Sequence, residues 1–426
     1  MKILHTAWKN LWRNRGRTIL SASAIAMSSF VVLFVISFEE GFIGDMTNNL
    51  TSNVSGDIRV MRREYVENER VTPLQFYIEH TAEIVEALEA DPLVSMATPK
   101  TEFGVSVYRG GEQIPARAIG VDMKKSRLVN GRNSKLDSGA LPAPGKNELL
   151  IATGFARETG INTGDRITIL TRTASSGTNG RTFTVTGILS VADTAYRNRA
   201  LFMDIERAGD FLRMGSDALQ IQVFLASGPT TRLDKTAQAI AERLASRLEA
   251  ANLPYTTADG RHILDIRPWY AINSTFSFFK IAKVLYLFIG AIFYFLAGTV
   301  IINTTMMSVL ERRKEIGTLA ALGMEKARIM ALFLAESLWI ALIGTFSGAA
   351  AGLAGIAVLG TIGLDFQKMG GASVASLSAS EIIYPSVDPV TVAAVLALGV
   401  AIAVASCILP ARMAARVEPA EALRDK

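Results

Sequence analysis

Four long stretches without a charged residue, at residues 18–38, 284–310, 337–364 and 389–411, constrain this chain most. A bilayer core of about 30 Å is crossed by roughly 20 apolar residues in a helix, and each stretch is long enough. Every backbone N–H and C=O inside that core must be satisfied within the segment, so each stretch is expected to be helical. A mean hydropathy of +0.29 agrees. With 50% apolar and only 19% charged residues, a disordered chain is excluded. A disulfide scaffold is excluded too, because Cys407 is the only cysteine. The first stretch follows Lys9, Arg13, Arg15 and Arg17, as a signal peptide would. Its apolar core exceeds the roughly 7–15 residues of a signal and no small-x-small site follows, so an uncleaved anchor is favoured over a cleaved signal.

The formal net charge of +5 would suit a nucleic-acid binder, but its distribution argues against one. Residues 1–17, 311–328 and 412–426 hold 14 of the 44 Lys and Arg but only 6 of the 39 Asp and Glu, and each abuts an apolar run. Basic residues collect on the cytoplasmic side of membrane spans. Both termini are therefore expected inside. The expected order is a cytoplasmic interfacial helix (1–17), a first span (18–38), an outside domain (39–283), a second span (284–310) and a cytoplasmic segment (311–328). A third span (329–364), a short outside loop (365–388), a fourth span (389–411) and a cytoplasmic tail (412–426) complete it.

The outside domain reads as mixed α and β. Alternating patterns point to strands at 57–61, 104–108, 113–121, 166–170, 182–188 and 219–225, with Gly110-Gly111 as a hairpin turn. Helical periodicity marks 80–90 and 231–251, stopped by Asp91-Pro92 and Asn252-Leu253-Pro254. These helices lie near opposite ends of the segment, which suits a domain whose chain leaves one lobe and returns to it. Phe42, Ile43, Met46 and Leu50 within 39–53, and Ile272, Phe276, Phe279 and Lys283 within 269–283, carry helical spacing. They suggest that the membrane helices continue outward as amphipathic stalks; interfacial linkers are the alternative.

No self-contained catalytic motif is present. His5, His80 and His262 are isolated, with no second cysteine to complete a metal site. Gly139-Ala-Leu-Pro-Ala-Pro-Gly145-Lys146-Asn147 imitates a phosphate loop. It has five residues between the glycines instead of four, Asn in place of Ser/Thr, and prolines where donors are needed. The chain is expected to be non-catalytic, with no cofactor of its own.

Three cytoplasmic or membrane features stand out. Glu311-Arg-Arg-Lys-Glu-Ile-Gly-Thr-Leu-Ala-Ala-Leu-Gly323 begins charged and places Ile316, Leu319 and Leu322 at three-residue steps, with Gly323 as a stop. A short amphipathic helix of this kind can lodge in a groove of a cytoplasmic partner, or simply be a loop whose charges fix topology. Residues 2–15 put Ile3, Leu4, Ala7, Trp8, Leu11 and Trp12 on one face, with Lys9, Asn10, Arg13 and Asn14 pointing away. That is a helix for the lipid headgroups, setting the position of the first span. Gly344, Gly348 and Gly352 recur every four residues and favour close helix packing, within the chain or across a dimer. Glu336, near Trp339, is expected to be solvated at the membrane edge.

The run Arg313-Lys-Glu-Ile-Gly-Thr-Leu-Ala-Ala-Leu-Gly323 resembles the R-x-E-I-G-x-L-x-A-L-G signature of FtsX-like ABC transporter permeases. Pro410-Ala-Arg-Met-Ala-Ala-Arg-Val-Glu-Pro419-Ala-Glu-Ala-Leu-Arg424 is similar to that family's ending. Glu148-Leu-Leu-Ile-Ala-Thr-Gly-Phe-Ala-Arg, Gly160-Ile-Asn-Thr-Gly-Asp165 and Phe183-Thr-Val-Thr-Gly-Ile188 look like its MacB-type periplasmic core domain. Ile36-Ser-Phe-Glu-Glu-Gly-Phe42 and Phe278-Phe-Lys-Ile look most like lipoprotein-releasing, Lol-type, permeases.

The resemblance implies a type VII ABC transporter architecture: four transmembrane helices and a mixed α+β periplasmic domain in the bacterial inner membrane. It assigns ATPase docking to Glu311, Arg312, Arg313, Lys314, Glu315, Ile316, Gly317, Leu319, Leu322 and Gly323. In one Lol-type subunit the loop corresponding to 171–181 is a hook that receives a periplasmic chaperone. Here Thr171, Arg172, Ser175, Ser176, Asn179 and Arg181 would occupy it. The implied partners are a cytoplasmic ABC ATPase that binds ATP and Mg²⁺, a second permease subunit, identical or homologous, membrane lipids, and a lipoprotein or amphipathic cargo. A periplasmic chaperone or adaptor is a further partner; nucleic acid is none. The implied mechanism is mechanotransmission. The alternatives are a MacB-type efflux permease for drugs or peptides, and an ATP-driven regulator of a cell-wall hydrolase.

Overall fold

The computed structural model describes residues 2–13, 15–109, 111–131, 134–226, 235–251, 263–272, 275–365, 380 and 382–418. Its helices are α1 (Lys2–Arg13), α2 (Arg15–Asn49), α3 (Arg63–Glu67), α4 (Thr81–Glu89), α5 (Arg127–Asn130), α6 (Thr153–Thr159) and α7 (Thr194–Arg197). There follow α8 (Ile205–Leu212), α9 (Lys235–Ala250), α10 (Thr275–Glu311), α11 (Arg313–Ala321), α12 (Lys326–Ile362) and α13 (Pro389–Ala414). The strands are β1 (Ile58–Arg62), β2 (Val94–Arg109), β3 (Glu112–Val121), β4 (Ser134–Gly139) and β5 (Glu148–Ala152). They continue with β6 (Arg166–Arg172), β7 (Thr178–Val191), β8 (Ala200–Asp204), β9 (Gln220–Leu225) and β10 (Leu264–Pro268). The chain forms two compact units: Met1–Phe42, Phe278–Leu364 and Tyr384–Lys426 make one, and Ile43–Ser277 with Asp365–Ile383 the other.

In the first unit, parts of α2, α10, α12 and α13 are long and apolar enough to cross a membrane. Their starts and stops follow from local chemistry. Asp388 accepts a hydrogen bond from the Val390 N–H at 3.2 Å and Pro389 opens α13 with its φ already fixed. Gly363, at φ +73°, ends α12, and Gly323, at φ +89°, ends the turn after α11. Packing among spans uses short polar side chains. Ser28 donates to the Phe293 carbonyl at 2.9 Å, Tyr294 to that of Val395 at 3.0 Å, and Ser337 to that of Ala403 at 3.0 Å. Such bonds, with close backbone approach, hold helices together where no water is present to drive association.

The second unit is built on a ten-stranded sheet in the order β10-β1-β9-β2-β3-β8-β5-β7-β4, with β6 pairing β2 and β7. The pairs β3–β8 and β5–β7 are parallel; the other ladders are antiparallel. Two hydrophobic clusters fill it. One gathers Ile58, Val60, Ile84, Leu88, Val223, Leu244 and Leu248, so α4 and α9 pack together although far apart in sequence. Fully burying Leu244 or Leu248 stabilises this lobe by roughly 2 kcal/mol each. The other cluster centres on Phe103, Phe155, Phe183, Phe202 and Phe211.

Several expectations shift here. Strands β5 and β8 escaped the alternation test because nearly all their residues are buried, which removes the period-two signal. Strand β4 escaped it as a largely exposed strand at the sheet edge, and β10 is short. The helix expected over 231–251 is α9; residues 231–234 and its 252–254 stop lie outside the described residues, as do Gly110 and His262. The first stalk is helical to Asn49 and then makes a single π-type segment at Leu50–Ser55. The second begins only at Thr275, because residues 264–268 pair as β10 and the turn Trp269–Ala271 follows.

Candidate functional site

The charged segment after the second span resolves into a bend and a short helix. Arg312 alone separates α10 from α11, and the Ile316 N–H bonds back to its carbonyl at 2.9 Å. The expected apolar face divides. Ile316 and Gly317 are buried, with Ile316 packed among Ile329, Phe333, Cys407, Ala411 and Ala414. Leu319 is half-buried and Leu322 is 81% exposed. A helix turns about 100° per residue, so positions six apart lie about 120° apart and cannot share a face. Ile316 therefore anchors α11 to its own chain. The outward surface is carried by Lys314, Glu315, Leu322, Gly323 and Met324, with Arg313 half-buried beside it.

Around this helix the charges are organised. The Arg312 guanidinium donates to both oxygens of Glu336, at 2.9 and 3.1 Å, with both side chains largely buried. Asn10 donates to the same carboxylate at 2.6 Å. Glu336 is therefore an ion-pair acceptor, and the expectation of simple solvation does not hold. Arg13 reaches Glu315 at 2.7 Å, and Arg17 pairs with Glu311. The hydrogen bond from Arg13 is the main reason the Glu315 carboxyl lies below its ordinary pKa. Asn10 and Arg13, expected to point away into solvent, are thus engaged by α12 and α11. Trp8 stacks edge-on to Trp339 at 5.0 Å, and Trp339 Nε1 donates to the Leu4 carbonyl at 3.2 Å.

Gly344, Gly348 and Gly352 face α2 of the same chain. A Cβ on Gly344 would collide with the Ala22 carbonyl and Ile25, one on Gly348 with the Ala26 backbone, and one on Gly352 would sit 3.1 Å from Leu33. The stripe therefore serves packing within the chain, and the dimer alternative loses its surface.

The loop expected as a hook is a closed hairpin. Thr171 and Arg172 pair with Asn179 and Thr178, and the Thr173 N–H bonds the Gly177 carbonyl at 2.8 Å. Thr171 donates to the Gly104 carbonyl at 2.9 Å and Asn179 to that of Phe211 at 2.8 Å. Arg181 lies in β7, reaching Asn147 at 3.5 Å. Arg172, Ser175 and Ser176 remain exposed.

A second polar cluster was not foreseen. Lys100 is buried and donates to the Asn53 carbonyl at 2.6 Å and to Tyr196 at 3.2 Å, with Glu102 at 3.1 Å. Asn53 in turn donates to buried Asp193 at 3.3 Å. Burial raises the Asp193 carboxyl. For Glu102 burial acts the same way but is outweighed by Lys100 and Arg117, which hold it below the usual carboxylate range. A lysine following Pro99 carries no sequence signal of burial; only the register of β2 does. Among the described residues no group of His, Cys, Asp or Glu is placed to hold a metal ion.

Comparisons with known proteins agree with this architecture. The profile of the MacB-like periplasmic core domain matches residues 18–243, and that of the FtsX-like permease C-terminal region matches 287–419. The lipoprotein-releasing system transmembrane protein LolC of Neisseria meningitidis serogroup B is 22% identical over 417 residues, covering 96% of this chain and 94% of that protein. LolC of Xylella fastidiosa strain Temecula1 is 24% identical over 349 residues, 78% of each. The macrolide export ATP-binding/permease protein MacB of Vibrio parahaemolyticus is 33% identical over 135 residues, 32% of this chain and 18% of that protein. The periplasmic region of MacB from Actinobacillus actinomycetemcomitans is also similar, with a TM-score of 0.37 at 15% identity over 52% of this chain and 92% of that one. With its apolar helices, its α/β domain and both profile matches in place, the chain belongs to the FtsX-like, MacB-type family of ABC transporter permeases.

Proposed function

We propose that this permease is the membrane subunit of a lipoprotein-releasing ABC transporter, worked by a separate ATPase chain that binds ATP and Mg²⁺. The observation that carries this reading is the likeness to LolC over 96% of this chain and 94% of that protein, against 18% of MacB. Two permease subunits, identical or homologous, pair with two ATPases beneath them. Both termini lie in the cytoplasm and residues 43–277 face the periplasm, as the basic flanks of the spans require. The chain itself does no covalent chemistry. ATP-driven closure pushes on the outward surface around Leu322 and Met324, and the displacement travels along α2, which is continuous from Arg15 to Asn49. The periplasmic domains then lift a lipid-anchored cargo from the outer leaflet, with a periplasmic chaperone or adaptor to receive it. No charged pathway through the bilayer is needed, consistent with so few charged residues in the spans.

The test is reconstitution with a separate ABC ATPase of the lipoprotein-releasing kind. The pair should release a fluorescent lipoprotein from proteoliposomes to a soluble carrier in an ATP-dependent way; ATP turnover without release would refute the cargo assignment. Leu322→Asp, at an exposed position, should insert normally and lose the ATPase on co-purification by at least about tenfold, the cost of placing a carboxylate in an apolar contact. Undiminished co-purification would refute docking at this surface.

A further inference from the structure

We infer that α1 belongs to the coupling apparatus: Asn10, Arg13, Arg17 and Arg312, with Glu311, Glu315 and Glu336, form an ionic clamp that fixes α11, and Glu336 is its positioning residue. The inference rests on the docking reading above and adds the route by which motion leaves α11.

The geometry is specific. Three arginines from α1, α2 and the α10–α11 bend face three glutamates from α10, α11 and α12 around a cleft of about 290 Å³. The charges match in number. The outer pair is exposed, Arg13 at 54% and Glu315 at 52%, and pairs of that kind contribute little by themselves. The inner pair is different: Arg312 is 14% and Glu336 13% exposed, and the guanidinium is held at both carboxylate oxygens and lies 5.4 Å from the Phe333 ring. Removing one partner of such a pair strands a desolvated charge. Asn10 places α1 on the same carboxylate, so one side chain of α12 ties the amphipathic helix to the bend before α11.

A helix of nine residues has little stability of its own, so α11 takes its position from these tethers and from Ile316. A push on its outer surface that moves Arg312 and Glu315 must also move Asn10 and Arg13, or break the clamp. Loss of the clamp would let α11 follow the ATPase while α1, α2 and α12 stayed behind.

Two readouts separate this inference from the docking reading. The first uses the chain alone in nanodiscs, spin-labelled at Lys9→Cys and Thr318→Cys, both exposed positions; buried Cys407 stays unlabelled. Glu336→Gln should broaden the distance distribution at least twofold, and Asn10→Ala, which spares the ion pair, should broaden it too. Unchanged widths in both overturn the clamp, whatever the ATPase does. The second uses the reconstituted complex. Glu336→Gln should keep the ATPase bound but release about tenfold less cargo per ATP hydrolysed, as expected from a stranded charge. Glu336→Asp, which keeps the carboxylate, should recover at least half of the loss. Wild-type release per ATP in Glu336→Gln overturns the inference. If no ATPase binds the wild-type chain, the docking reading falls and the clamp is decided by the spin-label widths.

Discussion

At Lys100 a buried ammonium finds three oxygens: the Asn53 carbonyl, the Tyr196 hydroxyl and the Glu102 carboxylate. Tyr196 passes the polarity on, donating to Glu102 at 3.0 Å. Deleting one member leaves the rest desolvated and unpaired, so Glu102→Gln should destabilise the chain at neutral pH by about 2 kcal/mol, less than for a fully buried pair because Glu102 is partly exposed. The sign of the pH dependence follows from the folded-state carboxyl being held below its usual value. The stabilising contribution is complete above the unfolded pKa of about 4.3 and is lost as pH falls through the lower folded value. Denaturant titrations of wild type and Glu102→Gln should therefore converge below about pH 4. A gap that persisted or widened there would show that the carboxylate charge is not what Lys100 requires. Asp193 acts oppositely: its raised carboxyl favours the folded state below the unfolded pKa and the benefit fades as pH rises through the folded value.

Among elements, α2 and α12 are joined at a close backbone approach. Gly348 has no room for any side chain, because the Ala26 backbone occupies the Cβ position. Gly348→Leu should abolish a monodisperse peak in size-exclusion chromatography in detergent. Were the stripe a dimer contact, the variant would run as a well-folded smaller species. The hairpin β6–β7 makes a contrasting prediction. Asn179→Ala removes one half-buried side-chain bond and should lower stability by about 1 kcal/mol, read by urea titration. Ser175→Ala, at the exposed tip, should leave both stability and cargo release unchanged. Reduced release would return the hairpin to the role of a partner-binding loop. The sequence left the surroundings of both elements open. The glycines could have faced another subunit, and 171–181 could have extended, until the backbone showed what occupied each side.

For the whole molecule, the orientation proposed from charge is open to direct labelling. A membrane-impermeant maleimide should modify Ser175→Cys in intact cells and Thr318→Cys only after permeabilisation, while buried Cys407 stays unreactive. The reverse pattern would place the α/β domain in the cytoplasm and end the transporter reading. Much of this level was legible in the residues. Uncharged runs long enough for a bilayer announce helices because the hydrocarbon core tolerates neither unpaired backbone nor charge. The same physics did not announce β5 and β8, whose burial on both faces erases alternation, nor the burial of Lys100. Uncharged length therefore determined the spans, and hydrophobic period the mixed α and β character of the large domain and the short helix after the second span. Tertiary structure alone decided that Ile316 turns inward while Leu322 stays out, that the glycine stripe meets its own chain, and that Glu336 gathers Asn10 and Arg312. Sequence period reports the angle of a side chain about its own element, whereas pairing between charges hundreds of residues apart depends on where other elements bring their own.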